Sequence, residues 1–195
     1  MQRYDFTMKS MIITLAILLL AGCLCCSASA AHINRQTVPT LDLHRFLGHW
    51  YEIARYDHRF ERNLNAVETD YTLLDNGKIE ILNRGLNSRT GKEEVARGKA
   101  HTTHDPGRLR VSFFLFFYSD YNILELDEDY EWALIGSRSP RYLWILARKP
   151  SLDAETLAYI LRLARQRGYN TTKLIYPDQP AARQATETAI PSASM

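Results

Sequence analysis

Between Gly48 and Arg148, apolar and polar residues alternate with a period of two, in segments broken by turn residues. Successive strand side chains point to opposite faces, so this alternation marks strands with one dry face and one wet face. Candidate strands cover residues 50–57, 67–74, 78–87, 93–102, 109–114, 121–126, 131–138 and 142–148. They recur about every 12 or 13 residues, punctuated by Asp75-Asn76-Gly77, the 87–91 stretch and Asp105-Pro106-Gly107. That is the spacing of a meander of antiparallel neighbours. Left open, such a sheet would carry two unpaired edges, and closing it removes both. The predicted fold class is therefore all-β: a closed eight-stranded antiparallel up-and-down barrel, wide enough to hold side chains or one small ligand.

The period then changes. Leu157, Ile160, Leu161 and Ala164 fall at helical spacing, with Pro150-Ser151 before them and Gly168 after. This predicts one amphipathic helix flanking the barrel, with Arg165 and Arg167 in its last turn, followed by a short strand over 173–176 that pairs with the first strand. Composition fits a single domain rich in aromatic residues: 46% hydrophobic, with 11 Tyr, 7 Phe and 3 Trp in 195 residues. A net charge of +2 without a basic block leaves no electrostatic footprint for nucleic acid.

The N-terminus has a different logic. Residues 11–21 form an apolar run interrupted only by Thr14, with Arg3 and Lys9 before it. Eleven residues of helix span roughly 16 Å, too short to cross a bilayer, so the run is the apolar core of a secretory signal. Leu20-Ala21-Gly22-Cys23 resembles the bacterial lipobox, in which the cysteine becomes the lipidated N-terminus. That resemblance implies a thioether to diacylglycerol and an acylated, palmitate-type amine at Cys23. Leu at position 24, by likeness to enterobacterial sorting, implies the outer membrane, facing the periplasm. All three cysteines lie at 23, 25 and 26, so the folded part contains neither a disulfide framework nor a thiol nucleophile. The expected organisation is a signal over 1–22, a lipidated tether over 23–40, the barrel domain over 41–177 and a flexible tail over 178–195.

Gly48-His49-Trp50-Tyr51-Glu52-Ile53-Ala54-Arg55, following a short helical turn at 42–47, resembles the opening G-x-W motif of the lipocalins, in particular their bacterial lipoprotein branch. Trp144-Ile145-Leu146-Ala147-Arg148 resembles the family's third conserved region. Leu126-Asp127-Glu128-Asp129-Tyr130 keeps the Asp and Tyr of the middle motif in a different order. The resemblance spans residues 42–176. It implies that Gly48, Trp50 and Arg148 form the barrel floor, with the guanidinium stacked on the indole. It implies binding, storage or transport of a fatty acid, lysophospholipid or similar amphiphile at the envelope, with a membrane partner through the acyl chains and no cofactor. A homodimer is left open.

Alternation from the Trp50 and Arg148 anchors, with the strand register that the resemblance implies, predicts an apolar, aromatic lumen. Its ligand-binding candidates are Trp144, Tyr142, Phe113, Val111, Tyr121, Ile123, Tyr71, Ala54, Tyr56 and Ile81. Glu52 and Glu125 also come out inward, where paired carboxylates could serve acid–base chemistry or a ligand amine or hydroxyl. Phe113, Phe114, Phe116 and Phe117 either pack ordinarily or form an apolar rim. In His58-Arg59-Phe60-Glu61-Arg62, Arg59 or Arg62 is the candidate for an anionic head group, against an ordinary solvated loop. The histidines form no metal set. No catalytic motif is present, and the leading expectation is a binding protein rather than an enzyme. The alternatives are a lipid- or isoprenoid-modifying enzyme using the same cavity, and a scaffold whose barrel is filled by side chains.

Overall fold

The structure is a computed structural model, described over residues 32–179. The signal segment, Cys23, Cys25, Cys26, the first part of the tether and the tail from residue 180 lie outside the described residues.

A one-turn helix, α1 (Leu43–Phe46), is capped by Asp42, whose carboxylate accepts from the His44 and Arg45 N–H groups. Eight strands follow: β1 (Gly48–Tyr56), β2 (Leu64–Leu73), β3 (Ile79–Asn87), β4 (Glu93–Thr102), β5 (Arg108–Ser112), β6 (Ser119–Leu126), β7 (Trp132–Gly136) and β8 (Leu143–Ala147). Each pairs antiparallel with the next, and β1 pairs with both β2 and β8, so the sheet closes. This is the predicted barrel. Helix α2 (Ala154–Gln166) and the two-residue strand β9 (Leu174–Ile175) follow, β9 pairing with Arg55 and Tyr56 of β1.

Two apolar clusters share the strands. The inner one holds Phe46, Trp50, Tyr71, Ile79, Ile81, Leu109, Ile123, Ile135 and Leu146 inside the barrel. The outer one lies between the barrel wall and α2, where Ile160 and Ala164 meet Leu124, Leu134, Leu143 and Ile145. Strands β6, β7 and β8 are thus buried on both faces, which is why β7 reads Trp-Ala-Leu-Ile-Gly rather than alternating. Asp153 caps α2 by accepting from the Thr156 N–H at 2.8 Å. Beyond the helix, Gly168 takes a φ of +90° and the Tyr169 N–H returns to the Ala164 carbonyl, closing the last turn.

Both ends of the described chain are more ordered than the sequence suggests. The 32–40 stretch was expected to be tether, yet Val38 N–H donates to the Ile123 carbonyl (2.9 Å) and the Thr37 hydroxyl to Asp105 (2.6 Å). Gly107 makes room for this segment: a Cβ there would sit 2.7 Å from Thr37 and 2.8 Å from the Val38 carbonyl oxygen. At the other end, Asp178 and Gln179 were expected in the tail. Instead the Asp178 carbonyl accepts from Ala66 N–H (2.7 Å), and the Gln179 amide donates to the Glu52 and Val67 carbonyls (2.9 and 3.0 Å). Past Tyr51–Glu68, β1 and β2 no longer pair. Gln179 bridges the two carbonyls stranded there, a need that no local sequence pattern announces.

Candidate ligand-binding site

The floor of the barrel is built from its N-terminal end. Gly48 takes a φ of +91°, and its missing side chain leaves the Arg148 guanidinium 3.6 Å from where a Cβ would stand. Arg148 lies over Trp50, 3.8 Å from the ring centroid. It donates to the carbonyls of His49 (2.7 Å), Leu47 (2.9 Å), Phe46 (3.2 Å) and Tyr130 (3.3 Å), and also to that of Arg45. Trp50 in turn donates its indole N–H to the Phe46 carbonyl at 2.8 Å. One cation thereby satisfies the end of α1 and seals this end of the lumen.

Above the floor the lumen is asymmetric. Tyr71 and Tyr121 face each other with their hydroxyls 2.8 Å apart, and burial pushes both phenols up, so both keep their protons. Opposite the bulky walls of β2 and β8, β4 presents Ala96, Gly98 and Ala100, paired with Asn83, Ile81 and Ile79 of β3. Ala100 is buried, Gly98 half-buried and Ala96 exposed, so this face of β4 opens to solvent toward the β1–β2, β3–β4, β5–β6 and β7–β8 loops. The Phe113 ring lies over Gly98, where a Cβ would clash at 2.7 Å. Phe113 is 47% exposed, and Phe114, Phe116 and Phe117 are 68%, 80% and 73% exposed, so this cluster is an apolar rim and not ordinary packing.

The upper lumen also contains a charged cluster. Strand β1 bulges at Ile53: Glu52 pairs with Leu146, Ala54 with Ile145 and Arg55 with Trp144. The extra residue reverses the alternation, so Trp50, Glu52 and Arg55 all face inward. Arg55, 1% exposed, pairs with Glu52 and donates to the Glu61 carbonyl (2.6 Å) and the Leu64 carbonyl (3.1 Å). The Glu61 carboxylate accepts the Trp144 indole N–H at 3.1 Å and lies 3.1 Å from His58 Nε2 and 3.7 Å from Arg55 Nε. Burial, reinforced by the charge of Glu61, pushes the Glu52 carboxyl well above the usual range despite Arg55. Burial also acts on Glu61, but His58, the Trp144 N–H and Arg55 together hold its carboxyl below that range. Arg55 is thus faced by two unlike carboxyls, Glu61 held toward its ionised form and Glu52 toward its neutral one.

Of the expected lumen residues, the structure brings together Trp144, Tyr142, Phe113, Val111, Tyr121, Ile123, Tyr71 and Ile81 on the inner face. Ile123 and Ile81 lie deepest, in the packed lower part, while Tyr142 stacks on Trp144 near the mouth (5.7 Å). Ala54 and Tyr56 do not face the lumen. The bulge turns them outward, beneath α2 and Tyr169, with the Tyr56 hydroxyl on the Asn170 carbonyl. Glu125 is also outside, because a second bulge between Ile123 and Glu125 shifts β6; its carboxylate meets Arg167 at 2.7 Å. The paired-carboxylate reading of Glu52 and Glu125 is thereby overturned. Arg59 and Arg62 point to solvent, over Phe60 and toward Asp57, and the inward groups are Arg55, His58 and Glu61. Strict alternation hides Arg55. The one local sign is its position three residues after an inward Glu52.

Comparison with known proteins agrees with this architecture. The model of the lipocalin-like domain matches residues 41–179. Outer membrane lipoprotein Blc of Citrobacter freundii is 41% identical over 172 residues, 87% of this chain and 95% of that protein. Temperature-induced lipocalin-1 of Arabidopsis thaliana is 36% identical over 149 residues, 71% of this chain and 80% of the relative. Among solved structures, the cockroach allergen Per a 4 superposes with a TM-score of 0.63 at 19% identity, covering 79% of this chain and 99% of the allergen, a likeness of fold alone. With its G-x-W floor, stacked arginine, closed meander and flanking helix, the chain belongs to the lipocalin-like family.

Proposed function

We propose that this protein is a lipid-anchored lipocalin that binds, stores or transports fatty acids, lysophospholipids or similar amphiphiles at the bacterial envelope. The observation that carries the reading is the asymmetric lumen. It is sealed at Trp50–Arg148 and lined by Tyr71, Tyr121, Val111 and Trp144, and at its aromatic mouth the Phe113 ring, itself half exposed, rests on Gly98 where an entering chain can displace it. An acyl chain entering there buries apolar surface at roughly 25 cal/mol per Å2, while its polar head stays among the charged groups of the upper lumen. Similarity to outer membrane lipoprotein Blc supports attachment to the outer membrane; in this reading Cys23 accepts the acyl chains and the barrel faces the periplasm. Glu52 and Glu61 are both engaged with Arg55, which suits binding better than acid–base catalysis.

Trp144 is the natural reporter. Trp50 is sealed in the floor, and Trp132 packs on Tyr159 outside the barrel, so Trp144 alone stands near the mouth. Titration with palmitate or palmitoyl lysophospholipid is expected to change the intrinsic fluorescence. Trp144→Phe is expected to lose most of that change while still retaining ligand in equilibrium dialysis. Purified protein that retains no long-chain amphiphile would overturn the proposal.

A further inference from the structure

The Glu61 carboxylate belongs to the β1–β2 loop but sits in the wall of the lumen, in a setting made for an anion. It accepts the Trp144 N–H and lies against His58 and Arg55, and its own backbone carbonyl receives Arg55 Nη2. Arg55 and His58 are 1% and 9% exposed, and Arg55 Nε and both ring nitrogens of His58 have no hydrogen-bond partner, His58 Nε2 lying 3.1 Å from the Glu61 carboxylate. A buried guanidinium with an unused N–H is an expensive feature unless something completes its shell. The backbone that supplies Glu61 is tied down by Arg55 at the Glu61 carbonyl and by Ser88 at the Asn63 carbonyl (2.8 Å), but the side chains around it face solvent. Arg59, Phe60, Arg62 and Asn63 are exposed, and Asn63 and Ala66, at its junction with β2, both take positive φ (65° and 48°).

From this geometry we infer that Glu61 is a built-in stand-in for the head group of an anionic amphiphile, and that Arg55, His58 and the Trp144 N–H form the head-group site it occupies. A carboxylate or phosphate monoester entering the lumen displaces the Glu61 side chain and takes its three partners. Only the Glu61 side chain turns outward, with His58 and the loop backbone held in place by the Arg55 contact to the Glu61 carbonyl, and a solvated Glu61 costs nothing in buried charge. The exchange is one anion for one anion, so Arg55 is never left buried without a counter-charge, the state that makes a broken buried pair so destabilising. Glu61 therefore sets specificity by competition: ligands without a negative head cannot replace it at Arg55. This inference rests on the amphiphile-binding reading above and narrows its ligand class to anions.

The test compares matched ligands on the wild type and two variants by displacement of a fluorescent fatty-acid probe. The pairs are palmitate with hexadecanol, and 1-palmitoyl lysophosphatidic acid with 1-palmitoylglycerol. Glu61→Gln removes the competing charge at constant shape, and Glu52→Gln/Glu61→Gln also prevents Glu52 from ionising in its place. Affinity for the anionic member of a pair is expected to rise about tenfold in Glu61→Gln and further in the double variant, the scale of one charge-assisted hydrogen bond. The neutral member should change by less than about twofold. A gain for palmitate alone identifies a carboxylate site, and a larger gain for the lysophosphatidic acid a phosphate site. In the Glu61→Gln background, Arg55→Met should abolish the discrimination, with thermal unfolding confirming that the barrel is intact. Equal shifts for neutral and anionic ligands, or no shift at all, overturn the head-group site while leaving amphiphile binding intact. Loss of every ligand in the wild type would instead overturn the function itself.

Discussion

Arg148 shows how much of a barrel can hang on one side chain. Five carbonyls and an indole face converge on it, and no other described cation reaches them. Replacing it by Met keeps some of the stem packing but strands the carbonyls of the α1–β1 junction. Urea unfolding of Arg148→Met is expected to show a loss of about 3–4 kcal/mol, and Arg148→Lys, which cannot fork, should recover less than half of it. Glu52 makes a prediction of opposite sign. Its folded carboxyl keeps its proton to a higher pH than the unfolded one, so the folded state binds the extra proton. Its contribution to stability therefore falls as pH rises from the unfolded carboxyl's value, about 4.3, through the raised folded value, and is flat above it. Glu52→Gln has no such loss. Unfolding curves from pH 4 to pH 9 should show the variant gaining on the wild type across that window, and a variant that instead falls behind would contradict the proposed charge state.

At the scale of elements, the segments flanking the meander matter as much as the strands. The 33–41 stretch lies across β6 and the β4–β5 turn, and the C-terminal segment fills the gap where β1 and β2 separate. A chain cut to begin at Asp42 loses the Val38 and Thr37 hydrogen bonds and the apolar contact of Val38 with the barrel. Compared with a chain beginning at His32, it is expected to be less stable by about 2–4 kcal/mol in chemical denaturation. Equal stability of the two would mean that this segment only rests on the surface. Arg167 is a related case. Placed in the last helical turn by the sequence, it is the residue just after α2 and joins Glu125 and the Leu124 and Gln36 carbonyls, pinning α2 to β6.

For the whole molecule, the folded domain and its anchor are separable. The barrel core is self-contained within the described residues, and nothing in it draws on cysteine. Cys23→Ala is therefore expected to abolish incorporation of a radiolabelled fatty acid in cells while the barrel keeps its thermal unfolding midpoint. Equal labelling of native protein and variant would move the acceptor to Cys25 or Cys26. Anchoring by acyl chains, at about 0.8 kcal/mol per buried CH2, would hold the barrel firmly at the surface it serves.

The barrel was legible in the chain's own pattern. Period-two patterning and turn residues at regular intervals are local signals, each readable without knowing what lies across the sheet, while the Trp50–Arg148 pair was legible only through the resemblance to lipocalins. The helix was equally legible, because an apolar stripe at 3.6-residue spacing has one physical use. Which residues face the lumen was legible only as far as the strands stay regular. One inserted residue at Ile53 sends Ala54 and Tyr56 outward and Arg55 inward, and another shift in β6 sends Glu125 to Arg167. Bulges are settled by how neighbouring strands must curve to close, a condition on the whole sheet that no single strand encodes. The charged cluster at Arg55 follows from that closure. It is tertiary in origin, because Glu61 and Trp144, 83 residues apart, become partners only once the first loop folds back over the eighth strand.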